Sequence, residues 1–278
     1  MTFDPRITPA RPDLAAKHLE GKVAAARFVE GQEREVIDAQ APVRRAPRPD
    51  AEQMTEALMG ERVTVYELDD DGWAWGQLEA DGYVGYMPAS ALIAPRAAPT
   101  HRVAALRTLA FPGPSIKLPP VATPPLGARL SVLREQERFA VATIGYVPAG
   151  HLAPRDRAET DFVAVAERFL GTPYLWGGKT NLGLDCSALV QVALNACGIA
   201  CPRDSDMQER AVGAQVTSLS TLERGDLVFW RGHVAIVHDA STLLHANAFA
   251  MAVTIEPITA ALARIRASGS DVTSVRRL

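Results

Sequence analysis

A cysteine at the expected start of an apolar helix is the residue of this sequence best placed for covalent chemistry. Asp185-Cys186-Ser187 precedes a nearly all-apolar run that ends at Gly198, which predicts a buried helix closed by that glycine. The N-terminal end of a helix dipole stabilises negative charge, so this position favours the thiolate form of Cys186. The alternative is an inert, buried structural cysteine.

Two histidines on neighbouring predicted strands could serve such a nucleophile. A tight turn joins a strand ending at Trp230 to one beginning at His233, and a second turn lets the strand of His245 run antiparallel to it. A helix packed across this sheet would bring Cys186 to His233, with His245 alongside. Acyl transfer by a thiol needs an imidazole that accepts and returns the proton, and a polar group that orients the imidazole. Asn247 shares a strand face with His245, so spacing leaves either as the orienting residue.

Metal and nucleotide sites have weaker support. His233 and His238 are five residues apart and would point to opposite faces of a strand, so they cannot share a metal on one face. Gly178-Lys179-Thr180 resembles the end of a phosphate-binding loop, but that motif needs a glycine at position 173, which is proline. We therefore expect neither a metal nor an organic cofactor.

Composition limits the kind of partner. The chain has 278 residues, 47% of them hydrophobic and 22% charged, which is typical of a globular protein with two or three domains. A net charge of −3 does not indicate a basic surface that would bind nucleic acid or an anionic membrane. Three cysteines without disulfide spacing, no signal-peptide pattern and no run of transmembrane length predict a cytoplasmic location. The oligomeric state is not indicated.

The first 156 residues are expected to hold small β-domains. Residues 1–50 predict an N-terminal arm, a short amphipathic helix over 14–19 and a linker over 41–50 that is rich in proline and arginine. From residue 51 to 97, alternating strands divided by Asp-Gly turns predict a small β-barrel.

An internal repeat predicts a second copy of that module over residues 98–156. Gly85-Tyr86-Met87-Pro88-Ala89 recurs 60 residues later as Gly145-Tyr146-Val147-Pro148-Ala149. The second copy contains a proline-rich insertion at 111–125 whose role the sequence does not indicate. The shared pattern resembles the bacterial SH3-like domain, and simple packing or targeting is the plainest interpretation of the second copy.

Residues 157–278 place helices before strands, which predicts an α+β domain with an antiparallel sheet. This region resembles the NlpC family of papain-like cell-wall cysteine peptidases. The matching segments are Gly171–Gly178, Asp185-Cys186-Ser187, Pro202-Arg203 with Ser205 and Gln208, Gly225–Phe229, Gly232–Ile236 and His245-Ala246.

The resemblance implies a catalytic role for three residues. Cys186 would be the nucleophile, His233 the general base and then acid, and His245 the orienting residue. Tyr174 would line the site near the oxyanion, which the Cys186 backbone N–H would help to bind.

The resemblance also implies how a substrate is recognised. Asp185 and Ser187 would bind the free amine of an N-terminal L-alanine, although a carboxylate beside Cys186 should raise the thiol pKa. Arg203 and Ser205 would face substrate carboxylates, with a solvated surface arginine as the alternative. Tyr83 and Glu61 of the first SH3-like module would close the amine end of the groove. Packing within the barrel is the alternative for Tyr83, and an ordinary exposed strand glutamate is the alternative for Glu61.

The predicted function is hydrolysis of the γ-D-glutamyl bond to the diamino acid in short murein peptides, which would serve cell-wall peptide recycling. The preferred diamino acid is not indicated. One alternative is an amidase or acyltransferase on the same scaffold, and another is a wall-peptide-binding protein without catalysis.

Overall fold

Alternating buried and solvent-facing residues build a seven-stranded antiparallel sheet in the first part of the chain. The computed structural model describes residues 3–278, which divide between Asp156 and Arg157 into two units. The strands of the first unit are β1 (Leu14–Ala16), β2 (Arg27–Val29), β3 (Gln32–Val36), β4 (Gln40–Arg44), β5 (Gln53–Leu58), β6 (Arg62–Leu68), β7 (Trp73–Leu78), β8 (Val84–Pro88), β9 (Leu92–Ile93), β10 (His101–Val103), β11 (Arg129–Leu130), β12 (Val132–Glu135), β13 (Phe139–Ala142), β14 (Gly145–Pro148) and β15 (Leu152–Pro154).

The order of strands in this sheet is β5-β4-β8-β7-β6-β3-β9. Side chains from most of these strands meet in one hydrophobic core, because successive residues of a strand point to opposite faces. The fully buried members of that core include Val36, Ala41, Val43, Val63, Ala74, Leu78 and Met87.

The helix expected over residues 14–19 is not formed. Leu14–Ala16 is instead a short strand that pairs in parallel with Arg27–Val29, and a 3₁₀ turn follows over Lys17–Leu19. Leu14, Ala15 and Ala16 are all completely buried. A six-residue helix has too few hydrogen bonds to compete with such burial, because helix initiation is costly.

The prediction of a linker over residues 41–50 is wrong for its first half, residues 41–44. Gln40–Arg44 is strand β4 of the seven-stranded sheet, and Ala41 and Val43 are buried in its core. Proline is tolerated at Pro42 because β4 pairs fully only with β5 and meets β8 at Arg44 alone. The sheet therefore begins well before residue 51.

The sequence repeat corresponds to a repeated local structure. Strand β8 continues into a 3₁₀ turn at Ala89–Ala91 and strand β9, and β14 continues into a 3₁₀ turn at Ala149–His151 and β15. The second copy consists of two three-stranded sheets, ordered β11-β10-β15 and β12-β13-β14. Its assignment as a second SH3-like barrel stays a prediction. The proline-rich insertion folds back on itself, since Ala110 and Ala122 form an antiparallel bridge.

The second unit places its helices against a six-stranded antiparallel sheet, as predicted. The helices are α1 (Phe162–Glu167), α2 (Cys186–Ala196), α3 (Ser205–Ala211) and α4 (Ile258–Ala267). The strands are β16 (Lys179–Thr180), β17 (Gly183–Leu184), β18 (Ala214–Val216), β19 (Leu227–Trp230), β20 (His233–Val237), β21 (Thr242–Asn247), β22 (Ala252–Pro257) and β23 (Val272–Arg277).

The strand order β18-β23-β19-β20-β21-β22 brings β20 and β21 under helix α2. Ten of the eleven residues of α2 are buried, as expected for a helix that is apolar on all faces. Gly198 follows the helix with φ +75°, a conformation that favours glycine. Within residues 3–278, no helix is long and apolar enough to cross a membrane.

Candidate active site

Cys186 is the first residue of helix α2 and is 6% exposed. The Asp185 side chain caps the helix by accepting a hydrogen bond from the Ala188 amide at 2.9 Å. The first amides of a helix have no helical acceptor, so the Cys186 N–H can serve an oxyanion at this point. The Val234 backbone amide of β20 also lies beside the Cys186 sulfur. The helix start therefore meets the strand that begins with His233.

His233 and His245 lie side by side, as predicted. The turn at 231–232 lets His233 pair with Trp230 across β19 and β20, and β21 runs antiparallel to β20. The Nε2 atom of His233 is 2.8 Å from the Nδ1 atom of His245. The His245 side chain is completely buried. This contact leaves Nδ1 as the ring nitrogen of His233 that can exchange a proton with a nucleophile.

Asn247, the other possible orienting residue, has different partners. Its amide nitrogen donates to the Thr254 hydroxyl at 2.8 Å, and its oxygen accepts from the Ala250 amide at 2.7 Å. These bonds shape the β21–β22 turn, in which Met251 adopts φ +52°. The Met251 carbonyl in turn accepts a hydrogen bond from the Tyr174 amide at 2.9 Å. Asn247 therefore supports the turn that holds Tyr174, and His245 is the residue bonded to His233.

A further residue of this chain of contacts, Glu256, was missed by the sequence analysis. The Nε2 atom of His245 is 2.7 Å from the Oε1 atom of Glu256, which also binds the guanidinium of Arg264. Glu256 lies diagonally across from His245, because β22 places Thr254 directly opposite. Glu256 could have been found from the pairing register of the β21–β22 hairpin. That register depends on the length of the intervening turn, which the sequence alone does not give.

Electrostatics at the site favour the neutral forms of both the thiol and the imidazole. Burial, followed by the charge of Asp185, raises the pKa of the Cys186 thiol to about 12. Burial, with the nearby His245 and Arg264, lowers the pKa of His233 to about 3. This direction is opposite to the preference for thiolate expected from the helix start, because burial and the Asp185 charge both disfavour the charged form. The chemistry required is proton transfer from thiol to imidazole during attack.

Tyr174 lies at the same site. It forms an isolated β-bridge with Leu184, the last residue of strand β17, and is half-buried. Burial first, and then the charges of Cys186 and Asp185, raise the pKa of its hydroxyl. A hydroxyl that stays protonated can donate a hydrogen bond to a developing negative charge.

The predicted recognition residues Asp185, Ser187 and Arg203 are brought together, but as a closed network. Both Arg203 terminal nitrogens bind the two oxygens of Asp185, and Arg203 also binds the Ser187 hydroxyl at 2.9 Å. Asp185 further accepts from the Gly177 amide and the Ser187 hydroxyl. The side chain of Arg203 is only 1% exposed. This geometry differs from the prediction that Arg203 faces substrate carboxylates, because Asp185 is its carboxylate partner.

The remaining predicted binding residues are Ser205, Tyr83 and Glu61. Ser205 is the first residue of α3 and is half-buried. Tyr83 is 1% exposed and belongs to the hydrophobic core of the seven-stranded sheet, which corresponds to the packing alternative. Glu61 is also buried, and its carboxylate accepts a hydrogen bond from the Leu58 amide at 2.8 Å. A groove-capping role for Tyr83 and Glu61 stays a prediction.

Metal ligation finds no support in residues 3–278, where no group of three or more histidine, cysteine or acidic side chains could hold an ion. His238 instead contacts the Thr242 hydroxyl and the carboxylates of Glu167 and Asp239.

Two family models match the chain. Residues 43–92 match the bacterial dipeptidyl-peptidase SH3 domain, and residues 171–267 match the NlpC/P60 family. The second match includes the residues of the site from Tyr174 to Arg264.

Curated relatives and solved structures agree with these matches. The dipeptidyl-peptidase 6 of Lysinibacillus sphaericus is 32% identical over 118 residues, which is 40% of this chain and 43% of that protein. This chain thus aligns with less than half the length of that relative. The gamma-D-glutamyl-L-lysine dipeptidyl-peptidase of Bacillus cereus is 27% identical over 236 residues, 73% of this chain and 70% of that protein.

The fold resembles the crystal structure of an NlpC/P60 family protein from Bacillus cereus, with a TM-score of 0.75 and 22% identity over 88% of this chain and 99% of that chain. The chain therefore contains an NlpC/P60 domain, a hydrolase domain of the cysteine-peptidase type, and a bacterial dipeptidyl-peptidase SH3 domain ahead of it.

Proposed function

We propose that this protein hydrolyses the γ-D-glutamyl bond to the diamino acid in short murein peptides that have a free N-terminal L-alanine. The observation that most directly supports peptidase chemistry is the His233–His245 hydrogen bond beside the start of the Cys186 helix. Support for the substrate class comes from the Bacillus cereus dipeptidyl-peptidase, whose similarity extends over both units of the chain.

The reaction follows from the neutral resting state of the site. The Cys186 sulfur attacks the γ-carbonyl carbon while its proton passes to Nδ1 of His233. The oxyanion forms near the Cys186 N–H and the Tyr174 hydroxyl. Collapse of this intermediate breaks the C–N bond, and His233 returns the proton to the leaving amine of the diamino acid.

The second half of the reaction hydrolyses the thioester. His233 takes a proton from water as the water oxygen attacks the thioester carbonyl, and the proton returns to the sulfur when the C–S bond breaks. The products are L-Ala-D-Glu, released as a free acid, and a fragment that begins with the diamino acid. The site needs no cofactor for any of these steps.

The free-amine requirement is part of the proposal. Asp185 and Ser187 precede and follow the nucleophile, so a bound ammonium group here would lie close to the reacting bond. The Asp185 carboxylate already accepts five hydrogen bonds, so an ammonium would have to share one of these oxygens.

The test compares L-Ala-γ-D-Glu-diaminopimelate with the same peptide after N-acetylation, with products read by mass spectrometry. Cys186→Ala is the inactive variant, and Cys197→Ser, a cysteine at the far end of the same helix, is the matched control. We expect cleavage of the free peptide only. Equal cleavage of both peptides would exclude amine recognition. If neither is cleaved while Cys186 can be alkylated, the acyltransferase or amidase alternative applies.

A role in recycling is the physiological part of the same proposal, with a cytoplasmic location. Cell fractionation tests the location. Disruption of the gene should cause uncleaved murein peptides with L-alanine at their N-terminus to accumulate in the cytoplasm, and their absence would contradict the recycling role.

A further inference from the structure

We propose that Glu256 is a positioning residue that fixes which nitrogens of His245 and His233 carry their protons. This inference rests on the proposed thiol-peptidase function of the site. Four side chains form one continuous line of contacts. His233 Nε2 is 2.8 Å from His245 Nδ1, and His245 Nε2 is 2.7 Å from Glu256 Oε1. The guanidinium of Arg264, from helix α4, binds the same Glu256 oxygen.

The protons along this line can be assigned from donor and acceptor rules. A carboxylate paired with a guanidinium is ionised and can only accept hydrogen bonds. The Nε2 atom of His245 must therefore be the donor to Glu256. In a neutral imidazole the other nitrogen is then an acceptor, so Nδ1 of His245 accepts from His233.

The consequence reaches the nucleophile. His233 must donate from Nε2, which leaves its Nδ1 unprotonated and able to accept the proton of Cys186. Without an acceptor at position 256, His245 could carry its proton on Nδ1 and donate to His233 instead. Nδ1 of His233 would then carry the proton, and the base would be blocked. The outer carboxylate distinguishes these two arrangements, because it can accept a hydrogen bond from Nε2 of His245 and cannot donate one.

Arg264 and Phe249 hold the carboxylate in place. The Glu256 side chain is 19% exposed and that of Arg264 is 26% exposed, so water competes only partly for their ion pair. The guanidinium carbon of Arg264 lies 4.5 Å from the centroid of the Phe249 ring, a cation–π contact that fixes its orientation.

The experiment records the ¹⁵N resonances of the histidine rings, which distinguish Nδ1–H from Nε2–H imidazole. Wild-type protein should show the Nε2–H form for both His233 and His245. Glu256→Gln retains an acceptor oxygen and should keep both rings in the Nε2–H form. Glu256→Met has similar length but no acceptor, and should populate the Nδ1–H form of both rings. The double variant Glu256→Met/Arg264→Met leaves no unpaired charge and should show the same change in a folded protein.

A second readout is the alkylation rate of Cys186, measured by peptide mass spectrometry. We expect Glu256→Met to slow it by about ten- to a hundredfold, because His233 no longer accepts the thiol proton, and Glu256→Gln to restore most of it. Neither readout requires a substrate, so both remain decisive if the proposed peptide is not cleaved.

Glu167 offers a matched control, because it also bridges a histidine and an arginine, His238 and Arg224. Glu167→Met should leave the His233 and His245 resonances and the alkylation rate unchanged. The proposal is overturned if Glu256→Met keeps both rings in the Nε2–H form, or if its alkylation rate matches that of Glu167→Met.

Discussion

Arg203 binds Asp185 through both of its terminal nitrogens, at 2.9 and 2.6 Å, in the interior of the second unit. The same carboxylate caps the helix that begins with Cys186. The ion pair therefore connects the segment before α3 to the residue that precedes the nucleophile. Because its charge is partly balanced by Arg203, Asp185 raises the thiol pKa less than an isolated carboxylate would.

Loss of Arg203 should strongly destabilise the protein. Arg203→Met leaves the buried Asp185 carboxylate without its counter-ion, and removal of one partner of a buried pair costs about 3–5 kcal/mol. Urea denaturation followed by tryptophan fluorescence measures the change in unfolding free energy. Arg224→Met, which breaks more exposed pairs with Asp161 and Glu167, should cost about 1 kcal/mol or less. Equal costs for both variants would contradict a buried, charge-balancing role for Arg203.

Cys186 should be a neutral thiol at neutral pH. Burial and the Asp185 charge raise its pKa to about 12, so the thiolate should form only in strongly alkaline solution. The ultraviolet absorbance of the thiolate, taken as the difference between wild type and Cys186→Ala, measures this directly. We expect no difference in absorbance at neutral pH. The absorbance should rise only at pH values above the usual pKa of a free cysteine. A thiolate signal at mildly acidic pH would indicate an ion pair with His233 and contradict proton transfer during attack.

Much of the site could be predicted from the sequence because its residues are local to clear patterns. The apolar run after Cys186 specified a buried helix, and short turns specified that the strands of His233 and His245 are neighbours. Both are short-range features, which a single sequence states directly.

The parts that could not be predicted depend on long-range contacts. Whether His245 or Asn247 orients His233 depends on a bond across strands, and the role of Glu256 depends on a hairpin register. The partner of Arg203 is Asp185, 18 residues earlier in the chain. In the first unit, the prolines and arginines around Val43 led to the prediction of a linker, but this segment is a strand whose alternate residues are buried.

Asn247 and His245 should affect kcat to different extents. Asn247→Ala removes the bonds that shape the turn carrying Met251, whose carbonyl binds the Tyr174 amide. We expect a loss of about 1–2 kcal/mol in stability and a kcat lowered by about tenfold, because Tyr174 is displaced from the oxyanion. His245→Ala removes the contact to His233 and should lower kcat by about 10²-fold or more.

Steady-state kinetics on the free murein peptide distinguish the two effects. Asn247→Asp is the matched control, since it keeps the oxygen that accepts from the Ala250 amide and should restore much of kcat. If Asn247→Ala instead lowered kcat as much as His245→Ala, Asn247 would share the orienting role.

His233 should make the protein less stable in acid. Burial lowers its pKa in the folded protein to about 3, whereas an unfolded chain has a histidine pKa of about 6.5. Between these values the unfolded state binds more protons, so the unfolding free energy falls as the pH falls, by up to about 1.4 kcal/mol per pH unit for this one group. Urea denaturation of wild type and His233→Asn across this range measures the difference. The difference between the two curves should be constant above the upper pKa and should change to the disadvantage of wild type as the pH falls below it, because the variant has no imidazole to protonate at this position. Parallel curves throughout would mean that His233 is already solvated enough to be charged in the folded protein, and the neutral resting state of the site would be wrong.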